Sequence, residues 1–95
     1  MERKDLLKAL KEKHLTLSSM ESLTGGLFAT SVTSVPGASE VFIGGAVTYS
    51  NKAKESFGVK ASVIQKFGAI SKECADEMAL RSSLLFVTGS FFIML

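Results

Sequence analysis

The segment Glu40-Val41-Phe42-Ile43-Gly44-Gly45-Ala46-Val47-Thr48-Tyr49 is the longest strand signal in the chain. Its apolar run lacks a polar face, so it predicts burial on both sides, as in a central strand of a parallel or mixed sheet. Such a strand needs a layer of structure above and below it. Gly44-Gly45 in its middle predicts a bulge or a close approach of another backbone. With 95 residues, the chain has room for one small domain, or part of a larger one.

The flanking segments supply the layers. Glu2 to His14 carries leucines at 6, 7 and 10 and lysines at 4, 8, 11 and 13, which predicts a helix with one buried face. Leu15 to Met20 alternates and reads as a strand. Glu21 to Gly26 reads as a turn, Leu27 to Val35 as a helix that ends at Pro36-Gly37. After the long strand, Ser50-Asn51 caps a short helix from Lys52 to Phe57, and Ala61 to Phe67 forms another. Ser71 is the expected N-cap of a helix from Lys72 to about Ser82, and Leu84 to Thr88 reads as a final strand. The order α-β-α-β-α-α-α-β predicts an α/β fold, a layered α/β/α sandwich around a parallel or mixed sheet.

Composition removes several function classes. Hydrophobic residues make up 46% and charged residues 21%, which is too apolar for a disordered tail. A net charge of +2 from mixed signs is not a nucleic-acid footprint. One cysteine, Cys74, and one histidine, His14, cannot build a disulfide or a Cys/His metal cluster. The charged N-terminus is no signal peptide, and the most apolar window, Leu84 to Leu95, is too short to span a bilayer. The expectation is a cytoplasmic protein with no membrane partner and no metal.

The sharpest constellation is Met20-Glu21-Ser22-Leu23-Thr24-Gly25-Gly26. A strand runs into a polar turn and two glycines open a helix. A serine there exposes its Oγ at the sheet edge, beside the first free N–H groups of the following helix, which could hold a phosphate or an oxyanion. The plainer reading is an N-cap with a tight turn. A serine nucleophile needs a proton acceptor. His14 closes the first helix, where it suits the helix dipole, so a lysine is the remaining option. Lys54 is the best placed, just past the long strand, with Lys52 as its competitor. If the two strands are parallel neighbours, Ser22 and Lys54 share the crevice at their C-terminal ends. Tyr49 could hydrogen-bond Ser22 or a substrate; its plainer reading is strand-end packing. Cys74 is expected on a helix as a core or boundary residue, with no basic neighbour that clearly lowers its pKa.

Taken together, the segments Glu21 to Gly26, Val35-Pro36-Gly37, Phe42 to Lys54, and Gly68-Ala69-Ile70-Ser71 with Ala75 and Met78-Ala79 resemble the C-terminal domain family of the competence/damage-inducible protein CinA. The resemblance runs from about Leu6 to Leu80. It implies a nicotinamide-nucleotide amidase, which hydrolyses the carboxamide of nicotinamide mononucleotide to nicotinic acid mononucleotide and ammonia. The family's nucleophile falls on Ser22, its lysine base on Lys54 and its tyrosine on Tyr49. Thr24, Gly25 and Gly26 fall in the substrate loop, with Ser50 and Asn51 as further candidate substrate contacts. No cofactor is implied; the expected partners are a small nucleotide substrate and further copies of the chain in a homo-oligomer.

Beyond Leu80 the sequence leaves the family pattern, which predicts a single domain over residues 1–95 whose C-terminal part is missing. Two alternatives therefore stand beside the amidase. One is a module that binds a nucleotide phosphate without chemistry. The other is an inactive remnant that oligomerises through its apolar end, Phe91 to Leu95.

Overall fold

A computed structural model describes residues 2–86 and the backbone of 90–94. Among the described residues, five α-helices and three strands follow in the order α1 (Arg3–Glu12), β1 (Leu17–Glu21), α2 (Leu27–Thr33), β2 (Phe42–Val47), α3 (Asn51–Ser56), α4 (Ala61–Phe67), α5 (Lys72–Phe86) and β3 (Ser90–Met94). A short 3-10 turn, Ala38–Glu40, precedes β2. The strands form a parallel sheet in the order β2-β1-β3. β1 therefore occupies the middle and carries the core on both of its faces.

Side-chain alternation divides that core. Leu17 packs with Leu7 of α1, Val32 of α2, and Ala38 and Val41. Met20, three residues on, points the other way and packs with Val59, Ile64 of α4, and Cys74 and Met78 of α5. Helices thus cover both faces of β1, giving the expected α/β/α layering. At about 25 cal/mol per Å² of apolar surface, each such cluster of buried side chains contributes several kcal/mol before the entropy of ordering is subtracted.

Burial along the strands differs from the sequence expectation. All five residues of β1 are buried, although three of them are Ser18, Ser19 and Glu21. β2, with its longer apolar run, alternates between half-buried and exposed, and leaves Ile43 52% and Val47 49% exposed. Place in the sheet decides this: β2 is an edge strand among the described residues, whereas β1 has neighbours on both sides. The polar cargo of β1 is satisfied internally, with Ser18 Oγ and Ser82 Oγ of α5 2.8 Å apart.

The glycine pair behaves as expected. The β1/β2 register slips between Leu17 and Ser18, which pair with Phe42 and Gly44, so that Ile43 is the extra residue. A Cβ on Gly45 would overlap Ser19 Oγ and lie 3.2 Å from the Ser19 carbonyl oxygen. Gly45 is thus what lets β2 lie against β1 at this register.

The helices follow their local signals closely. α4 has the expected bounds. Ser50 Oγ accepts from Ala53 N at 3.0 Å, and Ser71 Oγ accepts from Cys74 N at 3.1 Å, so both expected caps form. The expected final strand at Leu84 to Thr88 is corrected: α5 continues to Phe86, since no glycine or proline stops it there. Val87 and Thr88 lie outside the described residues. No helix among the described residues is long and apolar enough to cross a membrane.

Candidate active site

β1 ends at Glu21 and β2 ends at Val47, side by side and parallel. Each strand then releases a polar segment at the same edge. Ser22 follows β1 directly. Thr48 and Tyr49 follow β2 and lead into α3, whose fourth residue is Lys54. The crevice outside the C-terminal ends of parallel strands collects both side chains, as their placement in the sequence requires.

Lys54 is 2% exposed despite its charge. Its Nζ donates to three acceptors: Ser22 Oγ at 2.8 Å, the Thr48 carbonyl at 2.7 Å and the Tyr49 carbonyl at 3.1 Å. Burial lowers the pKa of Lys54 below the usual lysine range, while Cys74 acts in the opposite sense. This geometry suits proton transfer. An ammonium fills all three acceptors, but a neutral amine has two N–H groups and one lone pair. The two carbonyls can only accept, so the neutral amine gives them its hydrogens and turns its lone pair to the Ser22 hydroxyl.

The pair opens into a cleft of about 280 Å³ lined by Ser22, Leu23, Tyr49, Lys54, Ala69 and Ile70. Its walls are largely apolar, with Leu23, Tyr49 and Ile70 exposed around it. Ala69 and Ile70 come from the segment before α5, which the sequence does not place at the site. Tyr49 enters the site in two ways: its carbonyl holds Lys54, and the residue, 69% exposed, lines the cleft. Lys52 is exposed and makes no bond to Ser22.

Other expected residues are placed differently. Thr24, Gly25 and Gly26 form the turn after Ser22, and both glycines adopt positive φ (69° and 113°), which L side chains resist. They do not line the cleft. Ser50 and Asn51 stand at the start of α3, where Ser50 is occupied as its cap, and they too lie outside the cleft lining. The start of α2 is likewise already filled. Leu27 N donates to Thr24 Oγ1 at 3.3 Å, Phe28 N to Glu21 Oε1 at 2.6 Å and Ala29 N to Glu21 Oε2 at 3.1 Å. The expectation that the first helix amides are open to a phosphate or oxyanion is corrected on this ground. The turn amides of Leu23, Thr24 and Gly26 donate to no described residue.

Glu21, which the sequence places in the turn, instead closes β1 as a buried residue beside Ser22. Strand parity carries the signal: Glu21 shares a face with Leu17, and that face is core. Cys74 is also better connected than expected. It is fully buried in α5, and Lys54 pulls its thiol pKa down, although burial outweighs this and raises it. It is an inert core thiol. Among the described residues no cluster of His, Cys, Asp and Glu converges as a metal donor set.

Residues 2–87 match the family model of the CinA C-terminal domain. A competence-damage inducible protein of Bacillus subtilis is 51% identical over 77 residues, covering 80% of this chain and 18% of that protein. A CinA-like protein of Thermotoga neapolitana is 50% identical over 74 residues, covering 77% and 18%. Among solved structures, a competence-damaged protein (CinA) superfamily protein of Escherichia coli superposes with a TM-score of 0.90 at 26% identity, over 93% of this chain and 52% of that one. The competence/damage inducible protein CihA of Agrobacterium tumefaciens gives 0.83 at 33% identity, over 92% and 52%. The chain thus spans about half of those structures and under a fifth of those two sequence relatives.

Proposed function

Because the chain belongs to the CinA C-terminal domain family, we propose that Ser22 and Lys54 form a Ser–Lys dyad that hydrolyses a carboxamide, with nicotinamide mononucleotide as the substrate. The observation that supports this reading is the 2.8 Å approach of Lys54 Nζ to Ser22 Oγ at the mouth of an apolar cleft. A flat pyridine ring suits walls made of Leu23, Tyr49, Ala69 and Ile70.

The donor arrangement supports the following course. Neutral Lys54 takes the Ser22 proton as Oγ attacks the carboxamide carbon. The carbonyl oxygen becomes an oxyanion, which falls to the amide of Leu23, the turn residue that lines the cleft, since those of α2 are engaged. The carbon–nitrogen bond breaks, Lys54 protonates the leaving nitrogen, and ammonia departs from an acyl-Ser22 ester. Water then attacks that ester. Lys54 receives a proton from the water and returns one to Ser22 Oγ, releasing the carboxylate.

The test is ammonia release from nicotinamide mononucleotide by the wild-type chain, Ser22→Ala and Lys54→Ala. Loss of release in the first variant and a steep fall in the second are expected. Undiminished release in both overturns the dyad. Tight nucleotide binding without turnover, unchanged by Lys54→Ala, replaces it with the binding-module reading.

A further inference from the structure

We infer that Glu21, on the basis of the Ser–Lys reading above, is a positioning residue that clamps both ends of the turn carrying Ser22 and so holds Oγ within reach of Lys54. The carboxylate is 1% exposed, and among the described residues no cation forms an ion pair with it. An unpaired buried charge is costly unless hydrogen bonds replace its water. Here they do. Phe28 N and Ala29 N donate to its two oxygens at 2.6 and 3.1 Å, and Ser19 Oγ donates to it at 3.4 Å.

The bonds close the turn at its base. Glu21 precedes Ser22, and its side chain holds the helix that begins beyond Gly26. Inside the turn, restraint is sparse: Gly25 N donates to the Ser22 carbonyl and Leu27 N to Thr24 Oγ1. A Cβ at Gly25 would touch nothing within 4 Å, so packing does not fix that part of the turn.

The backbone of Glu21 reaches the other half of the dyad. Its carbonyl accepts from Thr48 N at 2.7 Å, and the carbonyl of Thr48 accepts from Lys54 Nζ at 2.7 Å. One residue therefore fixes the Ser22 turn through its side chain and adjoins the Lys54 anchor through its main chain. Glutamine at this position keeps the shape but sets an NH2 group against an amide N–H that needs an acceptor. The turn then relaxes, and Oγ drifts from Nζ.

The experiment measures two reactivities of Glu21→Gln and Glu21→Asp against the wild type. One is the rate at which a fluorophosphonate probe labels Ser22; the other is kcat and KM for nicotinamide mononucleotide. Ser82→Ala serves as a control, since it removes a buried hydrogen bond on the opposite face of β1. Thermal unfolding is recorded for every variant. Expected is a roughly 10- to 100-fold fall in labelling and kcat for Glu21→Gln, with KM changed little and a smaller fall for Glu21→Asp. Ser82→Ala labels at close to the wild-type rate. Wild-type labelling in both Glu21 variants overturns the positioning role, as does a loss that Ser82→Ala reproduces at equal thermal destabilisation. If Glu21→Gln does not fold, Glu21→Asp decides alone. A wild-type chain that labels but releases no ammonia defeats the amidase reading, and labelling still decides the role of Glu21. One that does neither defeats the dyad, and the role of Glu21 with it.

Discussion

Replacing Lys54 by methionine separates the stability of the site from its chemistry. Methionine keeps nearly the length and the apolar stem but removes the charge and all three donors. The Ser22 hydroxyl and the Tyr49 carbonyl border the cleft, so water can replace Lys54 there. The Thr48 carbonyl is buried and loses its lysine donor, which costs about 1–3 kcal/mol. Against this, the variant no longer bears the desolvation cost of a buried amine, a relief that offsets that loss in part. The net change in folding free energy at neutral pH is within about 2 kcal/mol of zero. Catalysis has no such offset: losing the proton acceptor lowers the rate by about 10²- to 10⁴-fold.

The pH dependence has a definite sign. Burial lowers the folded-state pKa of Lys54, so between that lowered value and the ordinary lysine value the unfolded chain binds more protons than the folded one. Wild-type stability therefore rises with pH across that window, and below the lowered value the penalty on the charged form is present in full. Lys54→Met lacks this gain and falls behind the wild type as pH rises. Urea unfolding at several pH values, paired with ammonia release, measures both effects. A variant that keeps more than about a tenth of wild-type activity refutes Lys54 as the base, and a stability difference independent of pH refutes its buried, titrating state.

Ser22→Ala abolishes turnover with little change in melting temperature, because the hydroxyl is only half-buried and among the described residues bonds Lys54 alone; calorimetry beside the ammonia assay checks this. Gly45→Ala drives a methyl group onto Ser19 and destabilises the chain by roughly 1–3 kcal/mol in urea titration. Ser71→Ala removes the α5 cap and costs about 1 kcal/mol by the same measurement. Cys74, fully buried, reacts with a thiol reagent only across the unfolding transition; labelling in native buffer contradicts its core placement.

Features set by neighbours along the chain are legible in the sequence itself. The caps at Ser50 and Ser71 and the bounds of α4 follow from local hydrogen bonding, with Gly68 standing just past the end of α4. The glycine pair announces the bulge beside it at Ile43 and the close approach at Gly45. The choice of Ser22 and Lys54 also comes from local logic, since each follows a strand. Burial is less legible. β2 has the more apolar run yet stands at the edge, while β1 carries two serines and a glutamate through the middle. Hydropathy reports what a residue prefers; sheet order decides what it receives.

The sequence alone determined the α/β layering and the pairing of a serine with a lysine at strand ends, because periodicity, capping and turn chemistry are properties of consecutive residues. Tertiary structure decided the rest. It set Lys54 between two carbonyls and Ser22, buried Glu21 against the amides of α2, and brought Ala69 and Ile70 to the cleft. The Ser22–Lys54 bond joins residues 32 apart in the chain, while Lys54 reaches Thr48 and Tyr49, and Glu21 reaches α2, over five to eight residues. The Ser22–Lys54 contact exists because a parallel register places the ends of β1 and β2 together, whereas the amides of α2 make the buried Glu21 tolerable.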